Sequence, residues 1–457
     1  MTRPPNTEES DGVSRRELRT VVASSVIGTT VEWYDFFLYG TAAGIVFNKL
    51  YFPSDDPLVS TLLSFGTFAL GFIARPIGGL IFGHIGDRVG RKKTLIATML
   101  IMGLATCAIG LVPTYGTIGV AAPIILVVLR LAQGIAIGGE WGGAVLMAVE
   151  YAPRGKRGLY GSFPQMGLAV GLMLGTGVFA GLNVALPSDA FLAWGWRIAF
   201  GLSAILVLVG MFIRLKVIET PAFRKMALHE AQATVPALEL VHDRRSRRHI
   251  LLGMGSRLHE GIAFNTWAVF AISYGTGTVG MSRQPLLLSV MGAAAVMLVF
   301  IPVFGRASDR FGRRQVFAIG AVITGLATYP ALASLGSGSP LLVAVALIVV
   351  LGICYPIMYG PQAAFYAELF PTHVRCTGIS FVYQFSGIFA SGMTPLILSY
   401  LVGRAGGGYG LVLAYVLAAT VVSTICTLAI RRRDLVTEDV EAAEFAVGAS
   451  PVRTSST

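Results

Sequence analysis

The sequence predicts an all-α integral membrane protein in which twelve transmembrane helices form two pseudo-symmetric six-helix bundles. Three observations lead there. Hydrophobic residues make up 54% of the chain and charged residues only 13%, against roughly 25% charged in soluble domains, and mean hydropathy is +0.71. Apolar runs long enough to cross a bilayer recur along the whole length. Finally, the segment Gly83-His-Ile-Gly-Asp87-Arg88-Val-Gly90-Arg91-Lys92-Lys93 returns 222 residues later as Gly305-Arg-Ala-Ser-Asp309-Arg310-Phe-Gly312-Arg313-Arg314, each copy between two such runs. A charged loop written twice marks a chain built from two copies of one membrane unit.

A hydrocarbon core of roughly 30 Å needs about 20 apolar residues per helix. A polar tail, residues 1–18 with Glu8, Glu9, Asp11, Arg15 and Arg16, has no secretory-signal character and precedes the first span at 21–47. The second span, 61–82, ends at the first charged loop, and the third is 95–113. The fourth, 120–149, carries glycines at 134, 138 and 142, and the fifth, 160–184, at 167, 171 and 175, a four-residue spacing that lets helices approach closely. The sixth is 197–214. The predicted bundles are 19–214 and 249–432, separated by a polar segment of mixed charge, 215–248, with a C-terminal tail at 433–457.

The second bundle repeats the plan with spans at 250–274, 286–304, 316–335, 341–366, 378–402 and 409–430. Pro356 and Pro361 interrupt the tenth and are expected to bend it. A second repeated element follows the fourth and tenth spans: Glu150-Tyr-Ala-Pro153-Arg-Gly-Lys-Arg157, and Glu368-Leu-Phe-Pro371-Thr-His-Val-Arg375. Cys107, Cys354, Cys376 and Cys426 have neither metal-ligand nor disulfide spacing and read as small core residues.

Cytoplasmic loops retain Lys and Arg. With both termini inside, 28 of the 35 basic residues lie on the inner side, and only Lys49, Arg197, Arg283 and Arg404 lie outside. The net charge of +11 therefore follows from topology and requires no nucleic acid. The expected location is the plasma membrane, as a multi-pass monomer whose partners are the lipid bilayer and a small-molecule substrate.

The doubled loop resembles the Gly-x-x-x-Asp-Arg-x-Gly-Arg-Lys/Arg motif of the major facilitator superfamily, over essentially residues 19–432. The resemblance implies two bundles rocking around a central site. It also implies that Asp87, Arg88, Arg91, Glu150 and Arg157, with Asp309, Arg310, Arg313, Glu368 and Arg375, form cytoplasmic charge networks that gate the transporter. The plainer reading, that these loops only set orientation, accounts for the arginines but not for the matched acids. Within the superfamily the chain resembles metabolite:proton symporters, which include alpha-ketoglutarate, shikimate and proline/betaine transporters. The segments that carry this likeness are Glu32-Trp33-Tyr34-Asp35-Phe36, Ala74-Arg75-Pro76-Ile77-Gly78-Gly79, Arg130-Leu-Ala-Gln133-Gly134, Gly138-Gly139-Glu140-Trp141-Gly142-Gly143, Trp194-Gly195-Trp196-Arg197 and Glu219-Thr220-Pro221-Ala222-Phe223.

Seven charged residues fall inside predicted spans: Glu32, Asp35, Arg75, Arg130, Glu140, Arg257 and Glu260. A charge at bilayer depth costs several kcal/mol unless it faces a partner or a wet cavity. Asp35 and Arg130 both lie near mid-membrane at about 1.5 Å per residue. Burial favours the neutral form of a carboxyl group and a nearby arginine the charged form, so an acid that gains and loses such a partner changes its proton affinity. In the sugar porters, relatives of the family that this chain resembles, a helix-1 Asp and a helix-4 Arg act in this way. The alternative is a permanent ion pair locking the two helices. Glu32, one turn away, is the third member of the proton-coupling set.

Arg75 is a candidate to hold a substrate carboxylate bidentately, or else an anchor for helix-end carbonyls or for Glu140. Arg257 and Glu260 form the matching cluster in the seventh span, unless Arg257 snorkels to the near surface. Gly261 follows where relatives often carry Asn. His259 reads more readily as hydrogen-bonded structure than as a proton carrier. Glu140, Arg257, Glu260, Tyr34, Gln165, Asn265, Tyr359 and Gln384 complete the candidate substrate contacts.

The expected function is proton-coupled uptake of a small polar organic metabolite, a carboxylate such as shikimate or a dicarboxylate, by alternating access. The alternative is a proton antiporter exporting a drug or metabolite, which resembles this chain in fold but has a Gly-Pro-rich fifth helix; here that helix reads Phe163-Pro164-Gln165-Met166-Gly167. No Gly-x-x-x-x-Gly-Lys-Ser/Thr cradle or paired-histidine motif occurs, so neither an enzyme nor an ATP-driven pump is expected, and no cofactor or metal. The proton is the coupling ion. The short C-terminal tail has no heptads, unlike osmosensing proline/betaine relatives.

Overall fold

A computed structural model of the chain describes residues 15–89, 91–138, 141–150, 152–217, 243–371 and 374–436. Among the described residues twelve long helical passages run in sequence. Helix α1 is Arg15–Ala42, continued by a π-helical turn Ala43–Phe47; α2 is Pro57–Val89; α3 is Arg91–Leu111. Helix α4 is Ala121–Ile137 resumed as Trp141–Glu150, α5 is Arg157–Ala185, and α6 runs from Ser188 through a π-turn at Phe191–Gly195 to Val217. Helix α7 is Arg244–Asn265, a π-turn Thr266–Phe270, then Ala271–Gly277, while α8 is Arg283–Phe311 and α9 is Arg313–Gly336. Helix α10 joins Pro340–Leu347 and Tyr355–Ala367 across a π-turn, α11 joins Arg375–Gly387 and Thr394–Arg404 in the same way, and α12 is Gly410–Ala429.

Eight of these passages are long and apolar enough to span a bilayer on composition alone. In α3 and α4 the described apolar stretches are Ile96–Leu111 and Ala121–Ile137. Helices α1 and α7 carry the charges of the interior: Glu32 and Asp35 on one, Arg257, His259 and Glu260 on the other, all buried. The exterior is the inverse of a soluble protein, with Leu80, Leu104, Leu326 and Leu341 about 70% exposed where lipid would cover them.

Helix ends differ from the sequence reading where polar residues continue a helix beyond the bilayer. Helices α6 and α7 both intrude into the predicted 215–248 segment, and residues 218–242 lie outside the described set. The start of α7 is fixed by Asp243, whose side chain accepts a hydrogen bond from the Ser246 backbone N–H at 2.7 Å. Hydrogen bonds from the Ser246 side chain and backbone hold the Asp243 carboxyl below the usual carboxylate range. Arg197, expected in an outer loop, belongs to α6. Its Nη1 donates to the carbonyls of Gly110 and Val112 at 2.7 and 2.8 Å, closing the end of α3.

Bulk-free positions set the close contacts. A Cβ at Gly171 would lie 2.7 Å from Trp33 Cβ and from the Tyr34 backbone N, so α5 rests directly on α1. Gly134 and Gly138 face the backbone of α2. The π-turns recur at matching places in α1 and α7, so the internal repeat extends to the irregularities of the backbone. The two halves meet at both ends of the bundle: Gly305 faces Ser162 and Gly158 at the basic end of α5 and α8, and Asn183 Nδ2 donates to Gln284 Oε1 at 3.1 Å at the other.

Candidate functional site

Between these two closures lies a cavity lined by Glu32, Trp33 and Phe36 of α1, Arg75 of α2, Ile137 of α4, and Tyr383 and Gln384 of α11. Both halves contribute. The Arg75 guanidinium stands over the rings of Phe72 (4.2 Å) and Phe36 (5.1 Å). Among the described residues it has no hydrogen bond or ion pair, and its buried Nε has no acceptor. Glu140, the proposed partner for Arg75, lies outside the described residues.

Behind Tyr383 of the cavity wall lies a charge-paired network. Arg257 Nε lies 3.3 Å from Glu260 Oε2, and Nη1 donates to Tyr383 O at 3.2 Å and Ser386 Oγ at 3.1 Å. The guanidinium also stacks on the Tyr383 ring at 3.7 Å. Glu260 accepts from the Tyr355 hydroxyl at 2.5 Å and from Gln362 Nε2 at 3.2 Å. Arg257 is therefore held inside the bundle and does not snorkel. Gly261 has its own cause: a Cβ there would meet Ala390 Cβ at 2.8 Å on α11, so the departure from Asn reflects helix packing.

Asp35 and Arg130 do not form the direct pair their depths allow. Asp35 is buried among α1, α3 and α6, accepting from Thr106 Oγ1 at 2.9 Å and from the Ser203 hydroxyl. Arg130 lies over Tyr39 at 4.1 Å and donates to Gln133 Oε1 at 3.1 Å. Gln133 Nε2 in turn donates to Thr106 Oγ1 at 2.7 Å, so a relay Arg130–Gln133–Thr106–Asp35 takes the place of an ion pair. The Thr106 hydroxyl has one hydrogen and two acceptors in range, Asp35 Oδ2 and Met102 O, both at 2.9 Å. It can follow the protonation state of the acid.

Other candidates separate by helix face. Tyr34 points away from the cavity and donates to Ala199 O of α6 at 2.8 Å, so it is a packing residue. Replacing Tyr34 by Phe is expected to lower stability by about 1 kcal/mol and leave substrate affinity unchanged, as thermal unfolding and uptake measured together would show. Asn265 donates to Gly261 O of its own helix at 2.9 Å. Gln165 donates to Tyr359 O across the halves, the Tyr359 hydroxyl is buried without a partner among the described residues, and Gln384 donates to Gly138 O at 3.0 Å. His259 meets Thr420 Oγ1 at 3.1 Å. Nothing in the residue pattern singles out Tyr383, Thr106 or Ser203: lone hydroxyls in apolar helices look the same whether they serve an acid or their own backbone.

At the basic end, Asp309 of α8 accepts from the backbone N–H groups of Gly158 (2.7 Å) and Leu159 (2.9 Å) at the start of α5. Arg313 lies 3.2 Å from Asp309 and pairs with Glu368, and Arg375 reaches Glu150 of the other half at 3.7 Å. Arg157 opens α5. Arg310, one residue on from Asp309, turns outward and contacts only the Phe311 ring at 5.6 Å among the described residues, so it stands outside this network. The side chains of Asp87, Arg88 and Arg91 lie outside the described set. No group of three or more potential metal ligands occurs among the described residues.

The family described as "Sugar (and other) transporter" matches residues 21–251, and that described as "Major Facilitator Superfamily" matches residues 261–454. The chain is 41% identical over 421 residues to the inner membrane metabolite transport protein YhjE of Escherichia coli, covering 91% of this chain and 95% of that one. It is 37% identical over 418 residues to the shikimate transporter of the same organism, with the same coverage of 91% and 95%. Among solved structures it is similar to the proton:xylose symporter XylE bound to 6-bromo-6-deoxy-D-glucose, with a TM-score of 0.71 at 15% identity over 94% of this chain and 100% of that one. At that identity the likeness establishes the fold.

Proposed function

Because the chain belongs to the major facilitator superfamily of transporters, we propose that it takes up a small polar organic carboxylate together with a proton, by alternating access between its two halves. The observation that carries this reading is Arg75, a buried cation facing a cavity shared by both halves, with no anion bound to it among the described residues. A substrate carboxylate would complete it, accepting two parallel N–H bonds while Phe36 and Phe72 hold the guanidinium plane.

Asp35 is the proposed proton carrier. The relay through Thr106 and Gln133 ties its charge state to Arg130 without contact, and Glu32, on the cavity side of the same helix, is the second acid of the coupling set. The network of Asp309, Arg313, Glu368, Glu150 and Arg375 closes the basic end, which on the distribution of Lys and Arg is cytoplasmic, as are both termini. Relatives whose names specify shikimate or proline/betaine support a substrate among small organic acids and zwitterions.

The test is uptake of labelled shikimate, alpha-ketoglutarate, citrate, aromatic acids, betaine and proline in a transport-deficient cell, with and without a protonophore. Uptake that survives collapse of the proton gradient would sink symport. Arg75→Lys keeps the charge but loses the fork, and should weaken carboxylate affinity by about 10- to 100-fold. Unchanged affinity in that variant would remove Arg75 from the site.

A further inference from the structure

Among the described residues Arg75 is the arginine that lines the cavity, and this limits the anion the site can take; Arg130, also over the Phe36 ring at 5.5 Å, is turned to Gln133. Arg257 is matched by Glu260, by a carbonyl and by a serine hydroxyl, and Glu260 is in turn satisfied by Tyr355 and Gln362. A second carboxylate arriving here would have to displace Glu260 and leave it buried and uncompensated beside another anion. The remaining charged group on the cavity wall besides Arg75 is Glu32, which would repel it.

The cavity also carries a polar demand of its own. Gln384 gives its amide nitrogen to the Gly138 carbonyl, which fixes the orientation of the amide, and its Oε1 is left buried without a donor among the described residues. A hydroxyl or N–H on the substrate answers that acceptor.

We propose that the site takes a monocarboxylate bearing a hydroxyl or N–H donor and discriminates against dicarboxylates, with the Arg257–Glu260 pair as the discriminating element. This rests on the assignment of Arg75 to the substrate carboxylate. Two carboxylates of one skeleton differ only in the second group when one is capped as an amide, so succinate and its monoamide, succinamate, form the matched pair.

The experiment measures binding of succinamate, succinate, the neutral diamide succinamide, and shikimate to the purified full chain in lipid nanodiscs at pH 7.5, by intrinsic tryptophan fluorescence and thermal shift. Succinamate should bind at least about tenfold more tightly than succinate, with shikimate also binding. In Glu260→Gln, Arg257 is released from its counter-charge and succinate should gain about tenfold or more relative to succinamate. Equal binding of succinate and succinamate in the unsubstituted protein overturns the discrimination while the Arg75 assignment stands. Succinamide binding as well as succinamate, or no response to either monocarboxylate, overturns both. If Glu260→Gln fails to fold, the comparison in the unsubstituted protein decides alone.

Discussion

Asp35→Asn is expected to abolish accumulation driven by the proton gradient, by about a hundredfold, while exchange of labelled for unlabelled substrate continues. The substitution is nearly isosteric, and the local hydrogen bonds can rearrange around it. An amide oxygen still accepts from Ser203 or Thr106, and the Thr106 hydrogen has a second acceptor in Met102 O. What the amide cannot do is gain and lose a proton. Counterflow in proteoliposomes separates the two activities, since it needs only reorientation of the substrate-loaded carrier and no net proton movement. If the variant instead fails to insert or loses exchange along with accumulation, Asp35 is a structural tie between α1, α3 and α6 and the coupling role passes to Glu32.

The second large effect concerns the basic end. Asp309→Asn should shift the resting equilibrium toward a form open on that side. In the closed form its carboxylate receives two backbone N–H groups from the first turn of α5, where the helix dipole adds to the attraction. Losing charge assistance there costs about 3 kcal/mol, equivalent to a shift of about a hundredfold in the population ratio. Spin labels at the basic ends of α5 and α8 would show the separation increase. An unchanged distance distribution would mean that Arg375–Glu150 and the Gly158–Gly305 contact hold the closure without Asp309.

The fold was legible because lipid imposes a simple rule: each crossing must be apolar over its length and satisfy its own backbone. The failures were failures of rotation. Depth along a helix can be counted from sequence, which sets Asp35 and Arg130 at similar depth, but depth does not reveal what stands between them; Gln133 and Thr106 do. Glu32 and Tyr34 are two residues apart and so about 200° around the helix. One faces the cavity and the other faces α6. Arg310 shared a motif with Asp309, yet a step of about 100° turns it outward. Arg75, by contrast, could be singled out from sequence because an arginine in an apolar helix demands a reason for being there.

The latch between Asp309 and α5 is written in only half of the genetic text. Its acceptor is a side chain and can be changed by one codon, but its donors are main-chain amides. Almost any substitution at 159 preserves its donor; only proline, which the first turn of a helix tolerates, deletes an N–H there. Position 158 is different, because a Cβ there would lie 2.5 Å from Gly305 O and 2.8 Å from Asp309 Oδ1, so in the α5 half the gate is exposed to drift at that glycine. Natural tuning of this closure should otherwise fall on the α8 carboxylate and its arginine partner.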